Sequence, residues 1–248
     1  TTTEFTGTTT TTEITKPNAS NTGYTVPLSS LTPMTNFTIS DDDVTVSGFD
    51  LTGTLTMTGS GVTVKEFRIN GDLNSYGINA MPTGIRDGLL IEDGEIFNVM
   101  GAGVQLKQGT MRRVHIHNVV KDMTKVSSDS IIEYCFFEKG GINSLRPSGE
   151  PTVHSDGVQV RHGVNMIFRY NNIYMPRGLL VDGTTTNEEY DPNAAFIIEA
   201  EGGDVVNDHR PTSAVEIRGN WLNGGYNTIQ IDNANNLTDD YPYVSALT

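Results

Sequence analysis

The stretch His154-Ser155-Asp156-Gly157-Val158-Gln159-Val160-Arg161 brings an imidazole, a carboxylate and a guanidinium into eight residues. An imidazole can take a proton near neutral pH, a carboxylate two residues away can orient it, and a guanidinium can hold an anion. The stretch also alternates as a short strand does. Val158 and Val160 are spaced to face a core, which turns Gln159 and Arg161 outward. Gly157, Val158 and Val160 are explained by a scaffold alone. His154 and Asp156 are not, and they carry most of the functional expectation.

Two reactions suit these residue types. β-Elimination beside a uronate carboxylate needs a base for the neighbouring proton and a cation or hydrogen-bond donor to neutralise the carboxylate. His154 or Lys125 can serve as base, with Lys107, Lys125 and Arg161 as neutralising groups. Hydrolysis needs two carboxylates across a glycosidic bond. Asp156 with Glu199, Glu201 or Asp232 can supply them. Asp122 falls at the strand position of Asp156 one repeat earlier, which predicts a separation of about 4.8 Å. Such a pair can share a proton or hold a cation, and spacing alone does not choose.

The elements that must position these groups form a repeat. One strand type runs apolar-polar-apolar after a small residue, as in Gly53-Thr54-Leu55-Thr56-Met57, Gly103-Val104-Gln105-Leu106-Lys107 and Thr228-Ile229-Gln230-Ile231-Asp232. A second type follows after a short turn, as in Leu89-Leu90-Ile91-Glu92 and Ala214-Val215-Glu216-Ile217, and apolar residues such as Ile69, Ile96, Ile116 and Phe137 close its corner. The repeats return at intervals of about 20 to 38 residues, the pattern of coils that bury their apolar face only against neighbours. Two strands per turn are therefore expected, in an all-β, right-handed, single-stranded parallel β-helix over residues 37–248. Residues 1–36, Thr-rich at the start, are expected to form an N-terminal cap.

Stacked coils place like positions in columns. One outward column contains Thr56, Asn79, Gln105, Lys125, Gln159, Ile197 and Gln230. The next contains Thr58, Met81, Lys107, Ser127, Arg161, Glu199 and Asp232, a basic strip with acidic residues at its C-terminal end. Polar ladders are often merely solvated, but a basic strip in an acidic protein favours a ligand face. Insertions at 139–153, 175–194 and 200–213 join the ends of the first strand type and could wall a groove beside it. Arg146 lies in the first of them, and Trp221 and Tyr226 offer rings on which a sugar could stack. His115 and His117 lie on the second strand type, away from the columns, and two imidazoles without a third ligand do not make a zinc site.

Bulk properties exclude other classes. A net charge of −14 repels polyanions, so nucleic acid is not an expected partner. No apolar stretch reaches the length of a transmembrane helix. Cys135, the single cysteine, sits in an apolar run and reads as a core residue.

The repeat, with the phrases His154-Ser155-Asp156-Gly157-Val158-Gln159 and Gly219-Asn220-Trp221-Leu222-Asn223-Gly224-Gly225-Tyr226, resembles right-handed parallel β-helix proteins of the pectate-lyase-like superfamily, secreted or phage-borne. The resemblance covers residues 37–232. It implies a carbohydrate ligand and leaves the reaction open, because this fold hosts lyases, hydrolases, epimerases, tailspikes and adhesins. The Asp motifs of the polygalacturonase-type hydrolases, the calcium-site aspartates of pectate lyases and the epimerase D-P-H-D phrase are absent.

The resulting expectation is an enzyme that cleaves an extracellular, uronate-bearing polysaccharide, with β-elimination ahead of hydrolysis. His154, Asp156, Lys125, Arg161 and Glu199 are its expected catalytic residues. Gln105, Lys107, Gln159, Arg146, Gln230, Asp232, Trp221 and Tyr226 are its expected substrate-binding residues. The alternative is a non-catalytic structural, receptor-binding or glycan-binding module of a virion appendage or surface adhesin. No cofactor is expected, and calcium has no recognisable site. The protein is expected to be secreted or virion-associated, and a monomer, or a homotrimer if it belongs to a phage appendage.

Overall fold

The computed structural model describes residues 14–81, 87–145, 154–161, 163–176, 190–199, 212–232 and 245–247. Its strands, in chain order, are β1 (Thr32–Ile39), β2 (Thr45–Met57), β3 (Thr63–Asn70), β4 (Tyr76–Ala80), β5 (Leu89–Val99), β6 (Ala102–Leu106), β7 (Gly109–Val119), β8 (Thr124–Val126) and β9 (Ile131–Glu133). They continue with β10 (Phe136–Gly140), β11 (Asp156–Arg161), β12 (Val164–Arg169), β13 (Asn172–Met175), β14 (Ala194–Glu199), β15 (Ser213–Arg218), β16 (Trp221–Gly224), β17 (Asn227–Asp232) and β18 (Ser245–Leu247). Every named strand pair is parallel and joins successive coils, the arrangement of a parallel β-helix.

Each coil has three strand segments, not the two expected. The first face is built from the end of β2 and from β4, β6, β8, β11, β14 and β17. The second runs through the starts of β3, β5 and β7 and then β9, β12 and β15. The third runs through the ends of β3, β5 and β7 and then β10, β13 and β16. Ile69, Ile96, Ile116, Phe137, Ile173 and Leu222, expected to close a corner, are one in-register column of this third face.

The third face hides in the sequence because a single residue makes the corner before it. Gly48, Glu66, Asp93, Arg113, Tyr134, Tyr170 and Gly219 all have φ between +50° and +74°. A left-handed residue turns the chain without a loop, at about 1–2 kcal/mol where it is not glycine. Neighbouring coils stabilise it. Arg113 at this corner binds Asp93, at 2.6 Å, and Glu92, at 2.8 Å, in the coil before. Inside, the core runs the length of the stack, from Phe49 and Phe67, stacked at 5.7 Å, to Phe168 and Phe196, edge to face at 4.9 Å. Each such fully buried side chain contributes about 1.5–3 kcal/mol.

At the N-terminus, β1 crosses the expected boundary at residue 36 and pairs with β2 along both the third and first faces. Before it, the chain lies along the outside of the third face. Asn172 Nδ2 donates to Pro17 O at 2.8 Å, Gly23 N to Arg113 O at 2.9 Å, and Thr25 N to Glu66 Oε2 at 2.7 Å.

Candidate functional site

The strongest cluster of ionisable groups on the first face lies where the chain enters it. Here the third face turns into β8, β11, β14 and β17, and each strand begins with a polar residue or has one just ahead of it. Gly157 fixes the orientation. A Cβ there would lie 2.4 Å from Ile173 Cγ2 and 2.4 Å from Ala195 O, so this position faces the packed interior. Asp156, the residue before it, carries its carboxylate to His154 and Asn193 instead of into the apolar core. Backbone bonds pin the entry: Met123 N donates to Asp156 O at 2.8 Å and Asn193 N to Ser155 O at 2.7 Å, while Ser155 Oγ donates to Lys121 O at 2.6 Å.

Asp122 and Asp156 are neighbours across coils, as the repeat predicts. Asp122 Oδ1 accepts from Asp156 N at 3.0 Å, and Asp122 Oδ2 lies 3.1 Å from Lys125 Nζ. Both carboxylates are buried. Burial, reinforced by Asp156, pushes the Asp122 carboxyl up to about 6 despite the pull of Lys125. His154 is the accessible member, with its side chain 52% exposed and Nδ1 3.1 Å from Asp156 Oδ2. The approach is off the line of a hydrogen bond, and Oδ2 is buried with no hydrogen bond among the described residues. Catalytic pairs are often misaligned before substrate arrives.

Asn193, just ahead of β14, ties three coils together. Its Nδ2 donates to Asp156 Oδ1 at 3.1 Å and lies 3.2 Å from His154 Nε2 and 3.4 Å from Gln230 Oε1. An amide nitrogen only donates, so Asn193 selects the tautomer with a lone pair on Nε2 and the proton on Nδ1, facing Asp156. Two amide protons cannot serve three acceptors, and Gln230 Oε1 has a closer donor in Asn227 Nδ2 at 3.0 Å. The sequence does not single out Asn193. An Asn ahead of a strand reads as a turn residue, and the acceptors it meets lie 37 and 39 positions before it and 37 after it.

The other expected residues fall in several places. Thr56, Asn79, Gln105, Lys125, Gln159, Ile197 and Gln230 are in register on the first face, with Gln159 and Ile197 buried. Arg161 pairs with Glu199 and Glu199 with Asp232 along the same face; for Glu199 and Asp232 the description extends to the backbone alone. Lys107 follows β6 at the far end of this face. Tyr226 is 62% exposed just before β17, its N–H on Pro192 O at 3.3 Å. Trp221 is elsewhere, in a column with Phe136 and Asn172 on the third face, beside a cavity of about 470 Å³ that Lys16 and Tyr174 also line. Arg146 and Glu201 lie outside the described residues. Of the insertions expected to wall the site, the first and second meet at an antiparallel bridge between Ile142 and Tyr190.

Asp122, His154 and Asp156 each bring a ligand atom to within 4.8 Å of the others. Calcium takes six to eight oxygen ligands. Two carboxylates, an imidazole and an ammonium 3.1 Å from one of the carboxylate oxygens do not suit it. The arrangement suits proton transfer instead: an exposed imidazole whose Nε2 lone pair becomes available once Asn193 is displaced, a buried carboxylate behind it, and a lysine held beside it.

No protein family matches the chain, and no curated protein or solved structure does either.

Proposed function

We propose that the protein is a polysaccharide lyase acting on a uronate-bearing chain outside the cell. The observation that carries this reading is His154, exposed and 3.1 Å from the fully buried Asp156, with Lys125 held in the same cluster by Asp122. His154 Nε2 takes the proton on the carbon beside the uronate carboxylate. Asp156 stabilises the imidazolium that forms, and Lys125 with Arg161 neutralises the carboxylate as charge builds on it. The electron pair left by the proton forms the carbon–carbon double bond. The glycosidic C–O bond breaks, and the leaving oxygen takes a proton from solvent. The resemblance of the repeat and of the His154-Ser155-Asp156-Gly157 phrase to pectate-lyase-like proteins supports the same substrate class. Hydrolysis is less well served. Asp122 is buried with both oxygens engaged, one by Asp156 N–H and the other by Lys125.

The test is incubation with alginate, pectate and related polyuronates, following absorbance of the unsaturated product. His154→Ala is expected to lower the rate by about 10²–10⁴-fold with the melting temperature unchanged, because a side chain half in solvent contributes little to packing. New reducing ends without unsaturation would replace elimination with hydrolysis. Binding without any product would leave a glycan-binding module.

A further inference from the structure

A second cluster lies on the outer side of the third face, away from His154. Glu95 of β5, His115 and His117 of β7, and Glu138 of β10 come from three successive coils. The donor atoms of Glu95, His115 and His117 all lie within 4.8 Å of one another. His117 Nε2 is 3.0 Å from Glu95 Oε1, and His115 Nε2 is 3.2 Å from Glu138 Oε1. The imidazoles are 4.5 Å apart between centroids. Phe97 stacks on His117 at 5.4 Å and Phe136 on His115 at 5.0 Å, so each imidazole lies against a phenyl face. The side chains are 9% exposed for His115, 16% for His117 and 22% for Glu95. Arg68 engages the other oxygen of Glu95, Oε2, at 3.3 Å, and leaves Oε1 facing His117.

We propose that Glu95, His115 and His117 bind a zinc-type divalent cation on the outside of the third face. In tetrahedral zinc geometry, with bonds of about 2.0–2.1 Å, neighbouring donors stand about 3.3 Å apart. The Glu95–His117 distance is already near that edge, and rotation of the side chains brings the third donor in. Two imidazoles and a carboxylate suit zinc and later transition metals and not calcium or magnesium, which prefer oxygen alone. Glu138 positions the His115 ring, as a carboxylate commonly does for a metal-bound histidine. Lys139 Nζ, 3.9 Å from Glu138 Oε1, is the cation that faces the cluster from the next coil. The ion would join the coil of Glu95 to that of the two histidines.

The experiment is zinc titration by calorimetry of the chelator-stripped protein at pH 7.5, with cobalt(II) absorption to report tetrahedral coordination. One zinc per chain is expected, with an intense visible cobalt spectrum. Glu95→Gln and His117→Gln should abolish both signals, and Glu138→Gln should weaken binding by about 10–100-fold. His154→Ala should bind as the parent does, which separates this site from the Asp122–His154–Asp156 cluster. Circular dichroism in chelator checks that each variant is folded, and Glu95→Gln keeps the side chain's shape. No zinc uptake by the parent, or uptake lost with His154→Ala and kept with His117→Gln, would overturn the proposal.

Discussion

Asp122 is a residue whose environment sets a measurable property. Its carboxyl is ordinarily near 3.9 in an unfolded chain and is held at about 6 in the fold by burial and by Asp156. Between those values the folded protein binds the extra proton, so stability falls as pH rises from about 4 to about 6 and is level above. Asp122→Asn keeps the shape and cannot titrate. Urea melts at intervals from pH 4 to 7 should show a flatter curve for the variant across that window. An identical slope in parent and variant would place the proton elsewhere. The closeness of His154 to Asp156 is legible in the sequence, because they stand two residues apart and the coil needs neither, and Lys125 is legible as a member of the outward column. Asn193 is not, because an amide acquires a role only from what the fold sets against it.

Among the elements, the corners decide the architecture. Asn171 is buried at the corner between the second and third faces, where its Oδ1 accepts from Cys135 N at 2.9 Å and its Nδ2 donates to Ile132 O at 2.9 Å. Asn220 repeats the device one coil on, with Nδ2 on Phe168 O at 2.8 Å. Asn171→Ala leaves a buried N–H and a buried carbonyl unpaired, and is expected to destabilise by about 2–4 kcal/mol in urea or thermal melts. Asn220→Ala, at a half-buried position, should cost less. Cys135 takes the equivalent place one coil earlier, fully buried, with its thiol pushed up to about 12 by burial, so it packs and does not react. The alternation that marks a strand is plain in the sequence. The third strand of each coil is not, because one left-handed residue leaves too little of a break to separate it from the second.

For the whole molecule, charge and stacking are the governing facts. A net charge of −14 opposes any polyanion at long range, and under the proposed lyase reading Lys125 and Arg161 would attract a polyuronate at short range. Salt shortens the first interaction before the second: the screening length falls from about 30 Å at 0.01 M to about 8 Å at 0.15 M. For a polyuronate, KM should therefore fall as sodium chloride is raised over that range, and for a neutral polysaccharide it should stay level. Initial-rate kinetics across the series make the check, and a KM that rises with salt would show that local cations dominate the approach.

The coil follows from the amino-acid order unaided. Period-two alternation, small residues at the strand entries and a recurring interval are enough to give a parallel β-helix and the register of the first face, since a slip by one residue would turn the apolar set outward. The adjacency of Asp122 and Asp156 follows too, because they are equivalent points of successive coils. What depends on positions far apart in the chain belongs to the folded arrangement. Folding set Asn193 between His154, Asp156 and Gln230, moved Trp221 to a different face, and supplied Glu95 and Glu138 to a histidine pair that had no third ligand in its own strand. The reason is the same in each case. A coil fixes which positions stack, but diagonal reach between side chains and the paths of the insertions are set by packing, and no local pattern records them.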